Sequence, residues 1–300
     1  MMNPYDLPYC YPPHPSPRKP CFKLPHGTVD THFHVFGPPE IFPWAPHKER
    51  IYTPPAAPIS HYLQLMQHLG ISRGVVVQPM AHGYDNSVTL NAIKCANGCL
   101  MGVAKVDTSF SDEDLLALHS GGIRGVRFNM IADSGGTNNL RLIETVVDRV
   151  KDLGWSLTIH TKPDGLIANA NWLSRMPIPT IIDHYARVNF QKQVDQPAFQ
   201  TLLNLLRDCE HIWAKLSCIE RCSSAGPPYT DANDFAHAMV DVAPNRLLWG
   251  TDWPHSQRYS IGDQCDTGEL VDAIPQLIPD ADLQQLILVE NPLRLFRFDG

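Results

Sequence analysis

The 300-residue sequence predicts a (β/α)8 TIM barrel of the α/β class, preceded by a proline-rich arm. Three observations predict it. Short β-branched or apolar runs recur from Gly27 to the C-terminus, amphipathic helical segments fill the gaps between them, and eight such runs fit one closed barrel in a chain of this length.

The elements follow in order. Residues 1–26 hold eight of the 27 prolines and show no apolar period, so they read as an extended arm on the surface or reaching a neighbour. Residues 27–300 form the barrel domain. Strands are expected at 28–32, 74–78, 102–106, 122–128, 156–160, 180–183, 212–216 and 246–249, roughly 20 to 45 residues apart. Between them Ile59, Tyr62, Leu63 and Met66 share one helical face. So do Leu140, Ile143, Val147 and Val150, and again Phe199, Leu202, Leu203 and Leu206. No Gly-x-Gly-x-x-Gly opens a helix, which argues against a dinucleotide-binding sheet.

Composition removes several partner classes. Twenty-four Lys and Arg against 31 Asp and Glu give a net charge of −7 without charge blocks, so no basic field draws nucleic acid or an anionic membrane. No apolar run approaches the ~20 residues of a membrane-spanning helix, and the first residues lack a signal-peptide core, so a cytoplasmic protein is expected. The eight cysteines are scattered and read as free thiols, small hydrophobes rather than a disulfide framework. Oligomeric state is left open, a homo-oligomer included.

In such barrels reacting groups come from the C-terminal strand ends. Strand 1 ends in Asp30-Thr31-His32-Phe33-His34, strand 5 in Ile159-His160, strand 6 in Asp183-His184, and strand 8 runs into Gly250-Thr251-Asp252-Trp253-Pro254-His255. His32 and His34, two apart on a strand, point the same way and can reach one ion. Core packing gives no reason for polar residues to recur at those ends. Arg127, Arg187 and Arg221 fall on the same face, where planar guanidinium groups suit carboxylate or sulfonate recognition. Gln78, His82, Lys162, Trp44 and Trp253 read as mouth-lining or structural, and Asp30 and His255 as groups orienting the site.

These stretches, with Gly122-Ile123-Arg124-Gly125-Val126-Arg127-Phe128-Asn129, Ala225-Gly226-Pro227-Pro228 and Glu290-Asn291-Pro292, resemble the amidohydrolase superfamily, in its branch of hydrolases for acidic lactones from aromatic-compound catabolism. The resemblance implies one zinc ion per subunit held by His32, His34, His160 and Asp252. It implies Asp252 as the general base, His184 as its assistant, and Arg127, Arg187, Arg221 and Tyr52 as binders of a small acidic lactone. Lys105, near the end of strand 3, is the residue that could bridge a second ion. One relative in that branch works without metal and carries tyrosine where this chain has His160, so metal-independent hydrolysis is the rival reading. Asp133 and Met80 depart from that relative's substrate contacts. The same set of strand-end residues would also serve a non-oxidative decarboxylase or a sugar-acid lactonase, and a non-catalytic binding barrel is the reading from outside the enzymes.

Overall fold

The computed structural model describes residues 7–131 and 136–298. Eight parallel strands form one sheet in sequence order: β1 (Val29–Phe33), β2 (Arg73–Val77), β3 (Leu100–Ala104), β4 (Ile123–Asn129), β5 (Ser156–His160), β6 (Thr180–Ile182), β7 (Ile212–Leu216) and β8 (Leu247–Trp249). Helices α1 (Ile59–Leu69), α2 (Ser87–Cys95), α3 (Asp112–Ser120), α4 (Leu140–Val150), α5 (Pro163–Leu173) and α6 (Pro197–Asp208) fill the first six gaps. A short α7 (Ile219–Cys222) and α8 (Asn233–Val242) follow β7, and α9 (Thr267–Asp272) opens the C-terminal helical stretch. The expected barrel is the observed one. Among the described residues no helix is long and apolar enough to cross a membrane.

The apolar stripes bury as their period requires. Ile143, Val147 and Val150 on α4 and Phe199, Leu202, Leu203 and Leu206 on α6 are buried. On α1 the buried row is Tyr62, Leu65, Met66 and Leu69, with Leu63 only half-buried. The Tyr62 ring stacks on Phe33 at 3.4 Å and its hydroxyl donates to Asp30 Oδ2 at 2.8 Å, which sets the rotation of that helix. Strand β3 starts two residues earlier than expected. The Lys105 amide leaves the ladder because it donates to Asn86 Oδ1 at 3.0 Å.

The barrel closes between the ends of β1 and β8. There the Asp252 amide donates to the His32 carbonyl at 2.8 Å, and the His34 amide to the Trp253 carbonyl at 2.7 Å. Asp30, fully buried, fastens this seam by accepting from the Thr251 amide and hydroxyl, the His32 amide and Tyr62. A Cβ on Gly250 would lie 2.8 Å from His32 Cβ, so glycine is what lets the two ends approach.

Residues 7–26 lie along the same chain's barrel. They pair with the loops after β1 and β8, and further along the Cys21 and Phe22 amides donate to Asp272 Oδ1.

Candidate active site at the barrel mouth

A cavity of about 420 Å³ opens at the C-terminal end of the strands. Of the expected site residues, His34, His160, His184, Asp252, Arg127, Arg187, Arg221 and Tyr52 line it. His32 lies just beneath, with no exposed surface. Met80 and Lys162 also line the wall, whereas Asp133 lies outside the described residues.

His32 and His34 do point the same way, with their Nε2 atoms 3.4 Å apart. Asp252 Oδ1 stands 3.6 Å from the first and 3.5 Å from the second. Donors bound tetrahedrally at about 2.0–2.2 Å from one ion would stand roughly 3.3–3.6 Å apart, so this triangle fits three corners of a zinc-type site. His34 Nδ1 is tied to the Val77 carbonyl at 2.8 Å, which frees Nε2 as a lone-pair donor. Burial, and next the Lys215 ammonium, hold His32 down to about 3, so it is neutral as a ligand must be.

His160, the fourth residue of the expected set, stands outside that triangle: among the described residues, no group of donors within 4.8 Å of one another includes it. Its ring packs edge-on against His184 at 5.4 Å, and His184 in turn packs on His32 at 4.5 Å. His160 Nε2 is buried without a hydrogen-bond partner. Lys105 is not over the donors either: its Nζ stands 4.3 Å from the centre of the Tyr84 ring.

His184 occupies the turn after β6, where four successive residues, His184 to Arg187, adopt positive φ of 53–59°. Such backbone is costly outside glycine and marks a segment held by its surroundings. Its Nδ1 pairs with Ser217 Oγ at 2.8 Å, and burial keeps the imidazole well below its usual range. Asp252 also has positive φ, 57°. Burial alone would raise its carboxyl, but the His34 and His184 imidazoles and the Arg221 guanidinium around it outweigh that and hold it well below the usual carboxylate range.

Several partners were not anticipated from the sequence. Asp183 accepts from Arg127 Nε at 2.8 Å, pairs with Lys215 Nζ at 3.1 Å and stands 3.4 Å from His32 Nδ1. Those two cations overcome burial and keep it ionised. Lys215, fully buried on β7, also lies 2.9 Å from His32 Nδ1. The signal was visible: a lysine inside Ile212-Trp213-Ala214-Lys215-Leu216 must put a charge into the core and needs a partner. The Cys218 thiol donates to Asp252 Oδ2 at 2.9 Å, so this cysteine is more than a small hydrophobe. All eight cysteines are free.

The arginines differ in commitment. Arg127 is tied to Asp183 through Nε; Arg221 Nε lies 3.4 Å from Glu220 and 3.6 Å from Asp252, and its Nη2 donates to the Ser256 carbonyl. Arg187 has no hydrogen-bond or ion-pair partner among the described residues. Tyr52 donates to Ser256 Oγ at 3.4 Å. Gln78 and His82 turn out structural, bonded to the Gly83 and Pro43 carbonyls. His255 lies outside the His32, His34 and Asp252 group: its Nε2 pairs with Thr267 Oγ1 at 3.1 Å and its Nδ1 faces Glu220 at 3.8 Å.

A family model described as amidohydrolase matches residues 29–298. The chain is similar to 4-sulfomuconolactone hydrolase of Rhizobium radiobacter, 40% identical over 291 residues, 97% of this chain and 96% of that protein. It is also similar to 2-pyrone-4,6-dicarboxylate hydrolase of Comamonas testosteroni, 41% identical over 290 residues, 94% of this chain and 93% of that one. Among solved structures, one from Acinetobacter baumannii, described as a probable 2-pyrone-4,6-dicarboxylic acid hydrolase with citric acid bound, is 27% identical with a TM-score of 0.79, covering 90% of this chain and 99% of its own.

Proposed function

The chain belongs to the amidohydrolase family, and on that premise we propose that it hydrolyses the ester bond of a lactone bearing carboxylate or sulfonate groups, formed in the breakdown of aromatic compounds. One observation carries the reading: a single cavity sets the His34 and Asp252 donors against arginines that include Arg187, whose guanidinium has no partner among the described residues. The activities named for the two relatives at about 40% identity support it.

His32, His34 and Asp252 would hold one divalent ion, and His160, whose buried Nε2 has no protein partner, is the donor available to complete the set. Imidazole and carboxylate donors suit zinc. When bound, such an ion polarises the ester carbonyl and brings the pKa of a water toward neutrality.

The chain's own groups do the rest. Arg187, Arg221 and Arg127 bind the acidic substituents and, with Tyr52 on the wall, fix which face of the ring meets the nucleophile. Asp252 takes the proton from the attacking water and delivers it to the ring oxygen that leaves on opening. Ser217 Oγ can donate to His184 Nδ1, which places the single ring proton on Nε2, where it can donate to the developing oxyanion. Eight free cysteines support a reducing, cytoplasmic site of action.

The test is turnover of pyrone dicarboxylate, sulfomuconolactone, sugar-acid lactones and uncharged lactones, scored by acid and by carbon dioxide released. Acid release confined to the lactones with acidic substituents is expected. Carbon dioxide release, or a preference for uncharged rings, would refute the reading.

A further inference from the structure

The arm lies across the two loops that build one wall of the cavity. The Thr53 amide donates to the Pro8 carbonyl at 2.9 Å and the Cys10 amide to the Thr53 carbonyl at 2.9 Å, which fixes the loop after β1 next to Tyr52. On the other side the Tyr11 amide donates to the Arg258 carbonyl at 2.7 Å, and the Gln257 amide donates to Cys10 Sγ at 3.2 Å. Cys10 itself has no exposed surface. Burial pushes its thiol up, so the sulfur is a neutral acceptor.

The residues so held are the ones that face substrate. Gln257 lines the cavity with φ of 64°, a conformation that a residue with a side chain keeps only when its neighbours are fastened. Its neighbour Ser256 takes Tyr52 on its hydroxyl and Arg221 on its carbonyl. Tyr52, Arg221 and Gln257 therefore converge on a two-residue segment whose outer side is clamped by residues 10 and 11.

We propose that Cys10 is a positioning residue for substrate binding: the arm completes the active-site wall, and through Gln257 and Thr53 it sets the pocket that receives an acidic group of the substrate. The inference rests on the reading of the cavity as an acidic-lactone site. Its effect belongs in KM, because Cys10 reaches the wall and touches none of the groups that move protons.

The experiment compares full-length wild type, Cys10→Val, which keeps the site apolar and loses the acceptor, and Cys10→Ser, which restores one. Readouts are KM and kcat on the preferred lactone, the Kd for citrate by calorimetry, and amide exchange of residues 256–258 without ligand. In Cys10→Val, KM and citrate Kd should rise about five- to tenfold with kcat within twofold, and exchange should accelerate at least tenfold. Cys10→Ser should recover most of each. If Cys10→Val fails to fold, Tyr11→Pro removes the second clamp bond in a segment already rich in proline, with Tyr11→Ala as the control for the lost ring, and the same pattern is expected in Tyr11→Pro alone. Unchanged exchange, or faster exchange with unchanged KM and Kd, overturns the proposal. The citrate and exchange arms need no turnover, so a wrong substrate class would show as absent hydrolysis while these two readouts still move together.

Discussion

At the β1/β8 seam the groups facing the cavity are lone pairs and a carboxylate, His34 Nε2 and Asp252 Oδ1, 3.5 Å apart. On the wall built from β4 to β6 they are cations: Arg127, Lys162 and Arg187. The seam is stiffened by Asp30, which accepts from three residues of β1, α1 and the loop after β8, whereas Arg187 sits on a turn of four left-handed residues and its guanidinium has no partner among the described residues. A rigid side that can hold an electrophile and an opposite side that can take up an anion orient a substrate carrying both an ester and an acid group. Beneath them the single Asp183 carboxylate pairs with both Lys215 and Arg127, so it offsets only one of those two positive charges.

The comparison breaks most directly at Asp252. Asp252→Asn keeps a residue tolerant of positive φ and should lose roughly 10²–10⁴-fold in kcat, with thermal stability near wild type, in steady-state assays of lactone hydrolysis. Activity within tenfold of wild type would remove the seam from the chemistry. Asp183→Asn tests the layer below. It leaves two cations, Lys215 with no exposed surface and Arg127 at 9%, without their carboxylate, and about 3–5 kcal/mol of stability should disappear in denaturant titration.

Most of this layout was legible in the sequence, for identifiable reasons. Strand ends are where barrels place polar groups, so His32, His34, His184 and Asp252 stood out against apolar runs. The Asp183, Lys215 and Arg127 network did not. It joins strands 4 and 7 to the residue that follows strand 6, and charged residues so far apart along the chain carry no partner information until the ladder registers are known. The separation of His160 from the donor triangle was equally hidden, because it depends on the His184 ring standing between β5 and β1 rather than on spacing along the chain. The arm read as an appendage because proline-rich sequence has no period, and its backbone hydrogen bonds to Thr53 and Arg258 leave no trace in residue type.

The cationic wall is sharpened by Arg187→Met. Charge-assisted hydrogen bonds to a substrate anion are worth about 1.5–3 kcal/mol, so KM should rise roughly 10- to 100-fold with kcat within a few-fold. A variant with unchanged KM would assign anion binding elsewhere.

A pH-dependent effect concerns the support behind Arg221. Burial opposes protonation of His255, but Cys265 and Glu220 beside it prevail and raise it to about 10, from an ordinary value of 6.5. A raised histidine contributes stability that is complete below its unfolded pKa and lost as pH climbs through the folded one. Unfolding free energy should therefore fall between about pH 6.5 and 10, by at most ~1.4 kcal/mol per pH unit. Denaturant titrations across that range should show the slope in wild type and a clearly shallower one in Glu220→Gln; equal slopes would take Glu220 out of the pair.

Zinc titration of chelator-stripped protein, with acidic-lactone hydrolysis followed at each addition, bears most directly on the seam as the reactive side. Hydrolysis should climb from near zero and break at one equivalent per chain in wild type, with no break in His34→Ala. Full hydrolysis by the stripped protein before any zinc is added would contradict it.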